Sequence, residues 1–282
     1  MKIKKIAITI VTLIAISLFL YYENNSIRVT NIDFESKSLP KSFNGYKIIQ
    51  ISDLHSKLFG KNQKNLVGKI KKAKPDIIVI SGDLVDSKHY NEEDSLKLID
   101  EIKNISPIYF VTGNHESWSG KFLELEGKLK DKGVRVLRNT NDKLEKAGEN
   151  ILIMGIDDPE FSSNYENNGD SKIIEEFLEK SLNKEYKSGF KILLSHRPEQ
   201  LSVYANHNID LIFSGHAHGG QIRLPIVGGI IAPNQGLFPK YTSGIYSKDS
   251  SVMIVSRGLG NSIIPQRIFN RPEIIVTTLR SR

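Results

Sequence analysis

The sequence contains no cysteine. This absence excludes disulfides, thiolate metal sites, a cysteine nucleophile and a lipid-modified N-terminal cysteine. A strong excess of one charge is also missing, because three of the lysines behind the net charge of +7 precede the first apolar run, and the remainder carries only about +4. Such a small excess weakly suits anionic substrates or surfaces, and it is no indication of nucleic-acid binding.

One long apolar run is present, and it lies at the N-terminus. Residues 6–22 carry no charge and would form a helix about 26 Å long, close to the hydrocarbon thickness of a bilayer. The basic tip at residues 1–5 favours the cytoplasmic side. We therefore expect a single-pass signal anchor in the cell membrane with an extracytoplasmic domain. A cleaved signal peptide is the alternative, but no small-x-small cleavage signal follows the run.

The rest of the chain alternates between strand and helix signals. Residues 23–44 are polar apart from a strand-like piece at 27–34, and are expected to form a stalk before a domain at 45–282. Short apolar runs of this kind are typical of strands buried on both faces. With no internal repeat, the pattern predicts one layered α/β domain. Strands are predicted at 46–52, 76–81, 107–112, 151–156, 190–195, 210–214, 252–256 and 273–279, and helices at 91–104 and 171–182.

Polar side chains end five of these strands, and open α/β sheets bind ligands beyond the carboxyl ends of their strands. A single histidine there is most often an ordinary core or loop residue, but five of the seven histidines fall in such positions, which indicates a metal site. His89 and His207 keep the ordinary interpretation. The residues at the strand ends are Asp53 and His55; Asp83 and Asp86; Asn114, His115 and Glu116; His196 and Arg197; and His216 and His218.

The segment SGHAHGG, residues 214–220, carries two histidines one residue apart. In an extended backbone the side chains of His216 and His218 would point to the same side and reach one metal ion or two neighbouring ions. Gly219 and Gly220 would let the backbone pass close to the metals or to a bound phosphate.

The motifs D-x-H, G-D-x-x-D, G-N-H-E, a lone histidine after a strand and G-H-x-H, over residues 53–218, resemble the signature of the calcineurin-like metallophosphoesterases. The continuation GHAHGGQIRLP, with SRGLGNS and RPEI, is similar to the membrane-anchored or exported bacterial branch of that superfamily. Some members of that branch and its relatives act on lipid-linked or nucleotide-sugar diphosphates. The resemblance implies a four-layer α-β-β-α sandwich of two mixed sheets behind the N-terminal transmembrane helix.

The resemblance also implies a role for each motif residue. Two divalent metal ions are expected, with manganese preferred over iron or zinc, and a hydroxide between them would be the nucleophile. His115 would protonate the leaving oxygen or stabilise the transition state, and Asp86 would orient it. Asp53, His55 and His218 are assigned to one metal ion; Asn114, His196 and His216 to the other; and Asp83 to both.

The sequence therefore predicts a dinuclear metal-dependent phosphohydrolase acting on a phosphodiester, pyrophosphate or phosphomonoester, with a membrane-associated or lipid-linked substrate. The alternative is a nuclease-like phosphodiesterase acting on nucleic acid or nucleotides. Because basic stretches interleaved with aromatic residues are missing, no nucleic acid is expected as a partner. A scaffold protein with a vestigial site is a third hypothesis, and the complete ligand set argues against it.

Three features stay open at this point. Arg197 could clamp a phosphate oxygen or be purely structural. Glu116 could support a ligand or be a solvated loop acid. Residues 223–241 are unusually apolar for a segment rich in glycine and proline; they could pack on the core as a hairpin or form a lip that meets a lipid tail or the membrane surface.

Overall fold

The computed structural model of the protein describes residues 2–165, 169–182, 189–261 and 264–282. Its helices are α1 (Lys2–Asn25), α2 (Lys64–Ala73), α3 (Glu92–Ile102), α4 (Asn114–Trp118), α5 (Phe122–Asp131), α6 (Asp170–Ser181) and α7 (Leu201–Asn206). Its strands are β1 (Arg28–Ser36), β2 (Lys47–Ile51), β3 (Ile77–Ser81), β4 (Ile108–Val111), β5 (Arg135–Val136), β6 (Thr140–Lys146), β7 (Glu149–Gly155), β8 (Lys191–Leu194), β9 (Leu211–Ser214), β10 (Arg223–Leu224), β11 (Gly228–Gly229), β12 (Ile231–Ala232), β13 (Gly236–Leu237), β14 (Gly244–Lys248), β15 (Ser251–Val255) and β16 (Glu273–Ser281).

Two six-stranded mixed sheets form the domain. The first sheet has the order β1-β16-β2-β3-β4-β5, and the second has the order β14-β15-β9-β8-β7-β6. Strands β2 to β5 pair in parallel, as do β7, β8, β9 and β15, whereas the β16–β2, β6–β7 and β14–β15 pairs are antiparallel. The carboxyl ends of the parallel strands in each sheet therefore lie along one edge.

The sheets pack face to face, with helices on both outer faces. Ile48 of β2 is buried between the sheets against residues such as Phe213, while its neighbour Ile49 is buried on the outer face with Leu66 of α2. This alternation is the two-residue period of a strand buried on both sides. Helices α2, α3 and α5 cover the first sheet, and α6 and α7 cover the second. The predicted four-layer α-β-β-α sandwich is confirmed.

Residues 23–44 do not form the expected stalk. Strand β1 pairs in parallel with β16 from Arg28↔Glu273 to Ser36↔Ser281 and makes the edge of the first sheet. Within β1, Ile32 and Phe34 are buried, whereas the other residues of the strand are exposed or half-buried. Because polar residues occupy the solvent face of β1, the sequence pattern indicated only a short strand-like piece at 27–34.

Helix α1 is long and apolar enough to cross a membrane, and its apolar window is not buried against the described part of the chain. Its last turn, by contrast, is attached to the domain. Glu23 is buried, and its Oε2 accepts the backbone N–H of Asn270 at 3.0 Å. The helix is therefore joined to the domain by hydrogen bonds, not only by the chain.

Candidate metal centre

The loops that follow the strands bring all seven predicted metal-ligand residues into one buried cluster. The first sheet supplies the carboxylates, one histidine and the amide, and the second sheet supplies three histidines. These residues are Asp53 and His55 after β2, Asp83 after β3, Asn114 after β4, His196 after β8, and His216 and His218 after β9. The convergence expected from the strand ends is thus present in the structure.

Asp83 lies at the centre of the cluster. Its Oδ2 is 3.6 Å from His55 Nε2 and 3.2 Å from His196 Nε2. One potential ligand atom of each of Asp53, His55, Asp83 and His218 lies within 4.8 Å of the others, and the same is true of Asp83, His196 and His216. Two groups that share one carboxylate could hold two divalent ions.

Several polar atoms of the cluster are buried without a hydrogen-bond partner among the described residues. They include Asp53 Oδ2, Asn114 Oδ1 and His218 Nδ1. An unsatisfied buried polar atom is costly, and cation binding is one way to remove that cost. The donor set is all nitrogen and oxygen, which suits manganese, iron or zinc. The residues present therefore fit a pair of divalent metal ions.

The backbone of the cluster is unusual, because five of the seven residues have a positive φ. The φ values are 51° at Asp53, 49° at His55, 53° at Asp83, 66° at His216 and 46° at His218. A left-handed backbone is uncommon for residues other than glycine, although aspartate and histidine adopt it more often than most, and such conformations are concentrated at functional sites. The extended H-x-H geometry expected for His216 and His218 is therefore wrong: two left-handed residues flank the αR residue Ala217.

The glycines around these histidines allow close packing. A Cβ on Gly215 would overlap Ser52 Oγ, and a Cβ on Gly219 would overlap Asn270 Oδ1. Asn270 in turn donates from Nδ2 to the carbonyl oxygen of His218 at 2.7 Å. Gly219 thus leaves room for Asn270, which holds the backbone of the candidate ligand His218.

Burial favours the neutral form of three histidines. It lowers the pKa of His55 to about 4 and the pKa values of His216 and His218 well below the usual range. Burial also acts to lower the pKa of His196, but the Asp83 carboxylate outweighs it and raises that pKa to about 10. A neutral imidazole is the ligand form, so a metal ion would have to displace a proton from His196.

His115 lies at the edge of the cluster, with its ring centroid 4.4 Å from that of His55. Its Nδ1 accepts the backbone N–H of Ser87 at 3.1 Å and lies 3.2 Å from Ser87 Oγ. Asp86, expected to orient His115, accepts the backbone N–H groups of Lys88 and His89 through Oδ1, and one ligand atom of each of Asp86, His115 and His55 lies within 4.8 Å of the others. Because Nδ1 accepts a backbone N–H, the ring proton is on Nε2. The contact between Ser87 and His115 was not predicted, because a backbone N–H donor leaves no signal in the sequence.

Glu116 is a fully buried clamp on the first sheet, not a solvated loop acid. Its Oε2 accepts the backbone N–H groups of Asp83 and Gly113, and its Oε1 accepts those of Leu84 and Val85. Burial raises the pKa of Glu116 to about 8, while these backbone donors favour the carboxylate. Glu116 therefore ties together the two loops that present Asp83 and Asn114.

Arg197 forms a buried ion pair with Asp158. It is buried, and its Nε and Nη2 donate to the two carboxylate oxygens of Asp158 at 2.6 and 2.8 Å. Its Nη1 lies 3.5 Å from His216 Nε2. A guanidinium held in this bidentate way connects the loops after β7 and β8. The structure favours the structural interpretation of Arg197 over the phosphate clamp.

Residues 223–241 form two short hairpins, β10–β11 and β12–β13, that border the cluster. Between β12 and β13, Asn234 brings its Oδ1 to 2.9 Å from His216 Nε2. Ala232 is buried, but Ile226, Val227 and Phe238 are exposed. The segment is therefore not simply packed on the core. Asn234 carried no motif, and only the fold places it at the site.

A family model described as "Calcineurin-like phosphoesterase" matches residues 46–220. The chain is 32% identical over 266 residues to an uncharacterized metallophosphoesterase of Bacillus subtilis (strain 168), YkuE, covering 93% of this chain and 88% of that protein. It is 29% identical over 263 residues to a "Transmembrane protein with metallophosphoesterase domain" of Danio rerio, covering 90% of this chain and 57% of that protein.

Solved structures share the fold at low identity. The protein TT1561 of Thermus thermophilus has a TM-score of 0.50 and 14% identity, covering 76% of this chain and 90% of that chain. Such a likeness shows the fold alone. With the family match spanning both halves of the candidate metal centre, the chain belongs to the calcineurin-like phosphoesterase family and is a metallophosphoesterase, a hydrolase of phosphoester bonds.

Proposed function

We propose that the buried cluster binds two divalent metal ions and hydrolyses a phosphodiester, pyrophosphate or phosphomonoester. The observation that carries the proposal is the shared carboxylate: Asp83 belongs to both groups of potential ligand atoms. Asp53, His55 and His218 would complete the first ion, and Asn114, His196 and His216 would complete the second. Manganese is the proposed metal, with iron and zinc as alternatives on the same donors.

When bound, such an ion pair lowers the pKa of water and neutralises charge on the phosphoryl group. The protein supplies the positioning around it. Glu116 holds the loops that carry Asp83 and Asn114. His115, with its ring N–H on Nε2 fixed by Ser87, donates a hydrogen bond from that N–H to the phosphoryl group and stabilises the negative charge that develops in the transition state. In this proposal His115 is catalytic, and Asp86 shapes the Ser87 loop through the N–H groups of Lys88 and His89.

We further propose that α1 anchors the enzyme in the cell membrane, with the domain on the extracytoplasmic side and a membrane-associated or lipid-linked substrate. The helix is long and apolar enough to cross a bilayer. Lys2, Lys4 and Lys5 at its start support a cytoplasmic N-terminus. A relative that covers 90% of this chain carries the words "Transmembrane protein" in its name.

The test uses the full chain in detergent, stripped of metal and resupplied with Mn²⁺. We expect it to bind two ions and to hydrolyse bis-p-nitrophenyl phosphate or p-nitrophenyl phosphate. Asp83→Asn should lower the rate roughly a thousandfold. Asp249→Asn, at an exposed loop position, is the control and should match the wild type. Activity that survives metal removal, or an Asp83→Asn enzyme as active as the control, would refute the dinuclear proposal.

A further inference from the structure

Large apolar side chains on the hairpins beside the metal centre, and one on the neighbouring loop, are exposed to solvent. We name this set the apolar rim: Leu224, Ile226, Val227, Leu237, Phe238 and Phe269. Ile226 is fully exposed, Phe238 is 68% exposed and Phe269 is 54% exposed. Single exposed apolar residues are common, but six of them on and beside two hairpins that border the candidate metal centre indicate an interaction surface.

Three members of the apolar rim have a left-handed backbone. The φ is 72° at Ile226, 53° at Phe238 and 52° at Phe269. Glycine or asparagine occupies such turn positions at lower cost, and a β-branched residue there is a genuine outlier. Backbone strain that presents large apolar side chains to solvent is not explained by the domain's own packing. Such strain is typical of segments with a functional role.

The apolar rim is connected to the end of α1. The Phe19 and Phe269 rings are 5.6 Å apart, and Gln266 Nε2 donates to the carbonyl oxygen of Leu20 at 3.1 Å. Asn24 accepts the N–H of Arg267 at 2.8 Å through its Oδ1. The loop from Ile264 to Arg271 is thus fixed to the last turns of the helix.

Backbone hydrogen bonds connect this loop to the hairpins. The N–H of Arg223 donates to Ile268 at 3.0 Å, that of Ile230 to Ile222 at 3.0 Å, and that of Phe238 to Ile230 at 2.8 Å. Ile226 follows Arg223 by three residues, so their Cα atoms are at most about 11 Å apart. The hairpin tips are therefore held at a fixed short distance from α1.

Phe269 also indicates the depth of this surface. Its partner Phe19 precedes Tyr22 by three residues, or about 4.5 Å along the helix axis toward the apolar run. Tyr21 and Tyr22 are aromatic residues of the kind that lie at membrane interfaces, and the Arg271 guanidinium is 4.8 Å from the Tyr22 ring centroid. If α1 crosses the bilayer, Phe269 lies below the interface while Arg271 remains at the level of the headgroups.

We propose that the apolar rim enters the leaflet next to the domain, in the same bilayer that α1 crosses. This inference rests on the proposed membrane anchor. It also restricts the substrate, because Asn234, between β12 and β13, contacts His216 of the metal centre. With the hairpins in the leaflet, the metal centre opens at headgroup depth, and the phosphoester that reaches it is carried by a lipid in that leaflet.

The absence of cysteine makes the test direct. Single cysteines replace Ile226 or Phe238 in the full chain and carry an environment-sensitive nitrobenzoxadiazole label. The protein is reconstituted in vesicles of phosphatidylcholine and phosphatidylglycerol, with or without nitroxide-labelled lipids. Leu123→Cys is the matched control, because Leu123 is 78% exposed on α5, which contacts β5 at the edge of the first sheet opposite β1. Ile14→Cys, within α1, reports on the anchor.

We expect blue-shifted emission and nitroxide quenching for labels at 226, 238 and 14, and water-like, unquenched emission at 123. Quenching at 14 with water-like emission at 226 and 238 would overturn the inference while leaving the anchor intact. Water-like emission at all four sites would refute the anchor and the inference together. A blue shift at 226 that grows with the protein-to-lipid ratio, without nitroxide quenching, would assign the rim to a second copy of the chain and also overturn the inference.

Discussion

The two halves of the candidate metal centre are held in place by opposite kinds of buried side chain. On the first sheet, the carboxylate of Glu116 accepts four backbone N–H groups. On the second sheet, the guanidinium of Arg197 donates two hydrogen bonds to Asp158. The first clamp acts directly on the backbone of the loops, whereas the second joins side chains from two loops.

This difference predicts different consequences when each clamp is broken. Loss of Glu116 leaves backbone donors unsatisfied next to Asp83. Loss of Asp158 removes both hydrogen bonds from the buried Arg197 guanidinium and leaves it only the longer ion pairs with Glu160, Asp170 and Glu199, at 3.7, 3.8 and 3.9 Å. A buried charge without a hydrogen-bonded counter-ion costs more than an unpaired neutral group. The second half of the site should therefore be the more sensitive to a single substitution.

The largest expected effect follows from Asp158→Ala. It removes the bidentate partner of Arg197 and should lower the free energy of unfolding by about 5 kcal/mol. Urea denaturation measures it. The double variant Asp158→Leu/Arg197→Met removes both charges of the hydrogen-bonded pair and should recover most of the loss at about pH 5, where Glu199, whose pKa burial raises to about 7, is uncharged. If the double variant were as unstable as Asp158→Ala, loss of the hydrogen-bonded counter-ion would not be the cause.

A smaller loss is expected for Glu116→Gln. One side-chain oxygen becomes a donor, so two buried N–H groups lose their acceptor, at a cost of about 4 kcal/mol. Urea denaturation and metal titration together measure the effect, and weaker metal binding should accompany it because the Asp83 loop is released. Glu124→Gln, on the exposed side of α5, is the control. Unchanged metal affinity in Glu116→Gln would contradict the clamp.

The surroundings of Arg197 also predict a pH-dependent effect. Burial raises the pKa of Glu199 to about 7, although Arg197 opposes the shift. A carboxyl whose pKa is raised in the folded state stabilises the protein at low pH and loses that contribution as pH rises through about 7. The free energy of unfolding of Glu199→Gln should therefore exceed that of the wild type by about 3 kcal/mol above pH 8 and equal it below pH 4. Thermal unfolding across this pH range measures the difference, and Glu179→Gln, at an exposed position, is the control. A difference between Glu199→Gln and the wild type that does not change with pH would show that the titration of Glu199 is not its cause.

The smallest effect concerns His115. Ser87→Ala removes the hydroxyl contact to Nδ1 but keeps the backbone N–H, so kcat should fall about fivefold while KM is unchanged. Steady-state kinetics on bis-p-nitrophenyl phosphate measures it. Ser117→Ala, whose hydroxyl donates to the carbonyl oxygen of Glu160, is the control. Equal kcat in the wild type and Ser87→Ala would refute a contribution of the Ser87 hydroxyl to the orientation of His115.

Much of the fold was predictable because its strands are buried on both faces. Strands β2, β3, β4, β7, β8, β9, β15 and β16 fall within two residues of their predicted bounds. Strand β1 was reduced to a fragment because it lies at an edge with a solvated face, and strands β6 and β14 were missed for the same reason. Helices α2 and α5 were not predicted, because each has only ten residues and few of these are apolar: α2 is rich in lysine, and α5 in lysine and glutamate.

The motifs at the strand ends identified the family, and the local apolar runs predicted the layered α/β architecture, because strands buried on both faces leave such runs in the sequence. The ligand roles of the motif residues stay a prediction. The group that contacts His115, the partner of Arg197 and the set of exposed apolar side chains could be read only from the folded chain. Each of these depends on a neighbour distant in the chain, and no local pattern records what a fold brings opposite a given residue.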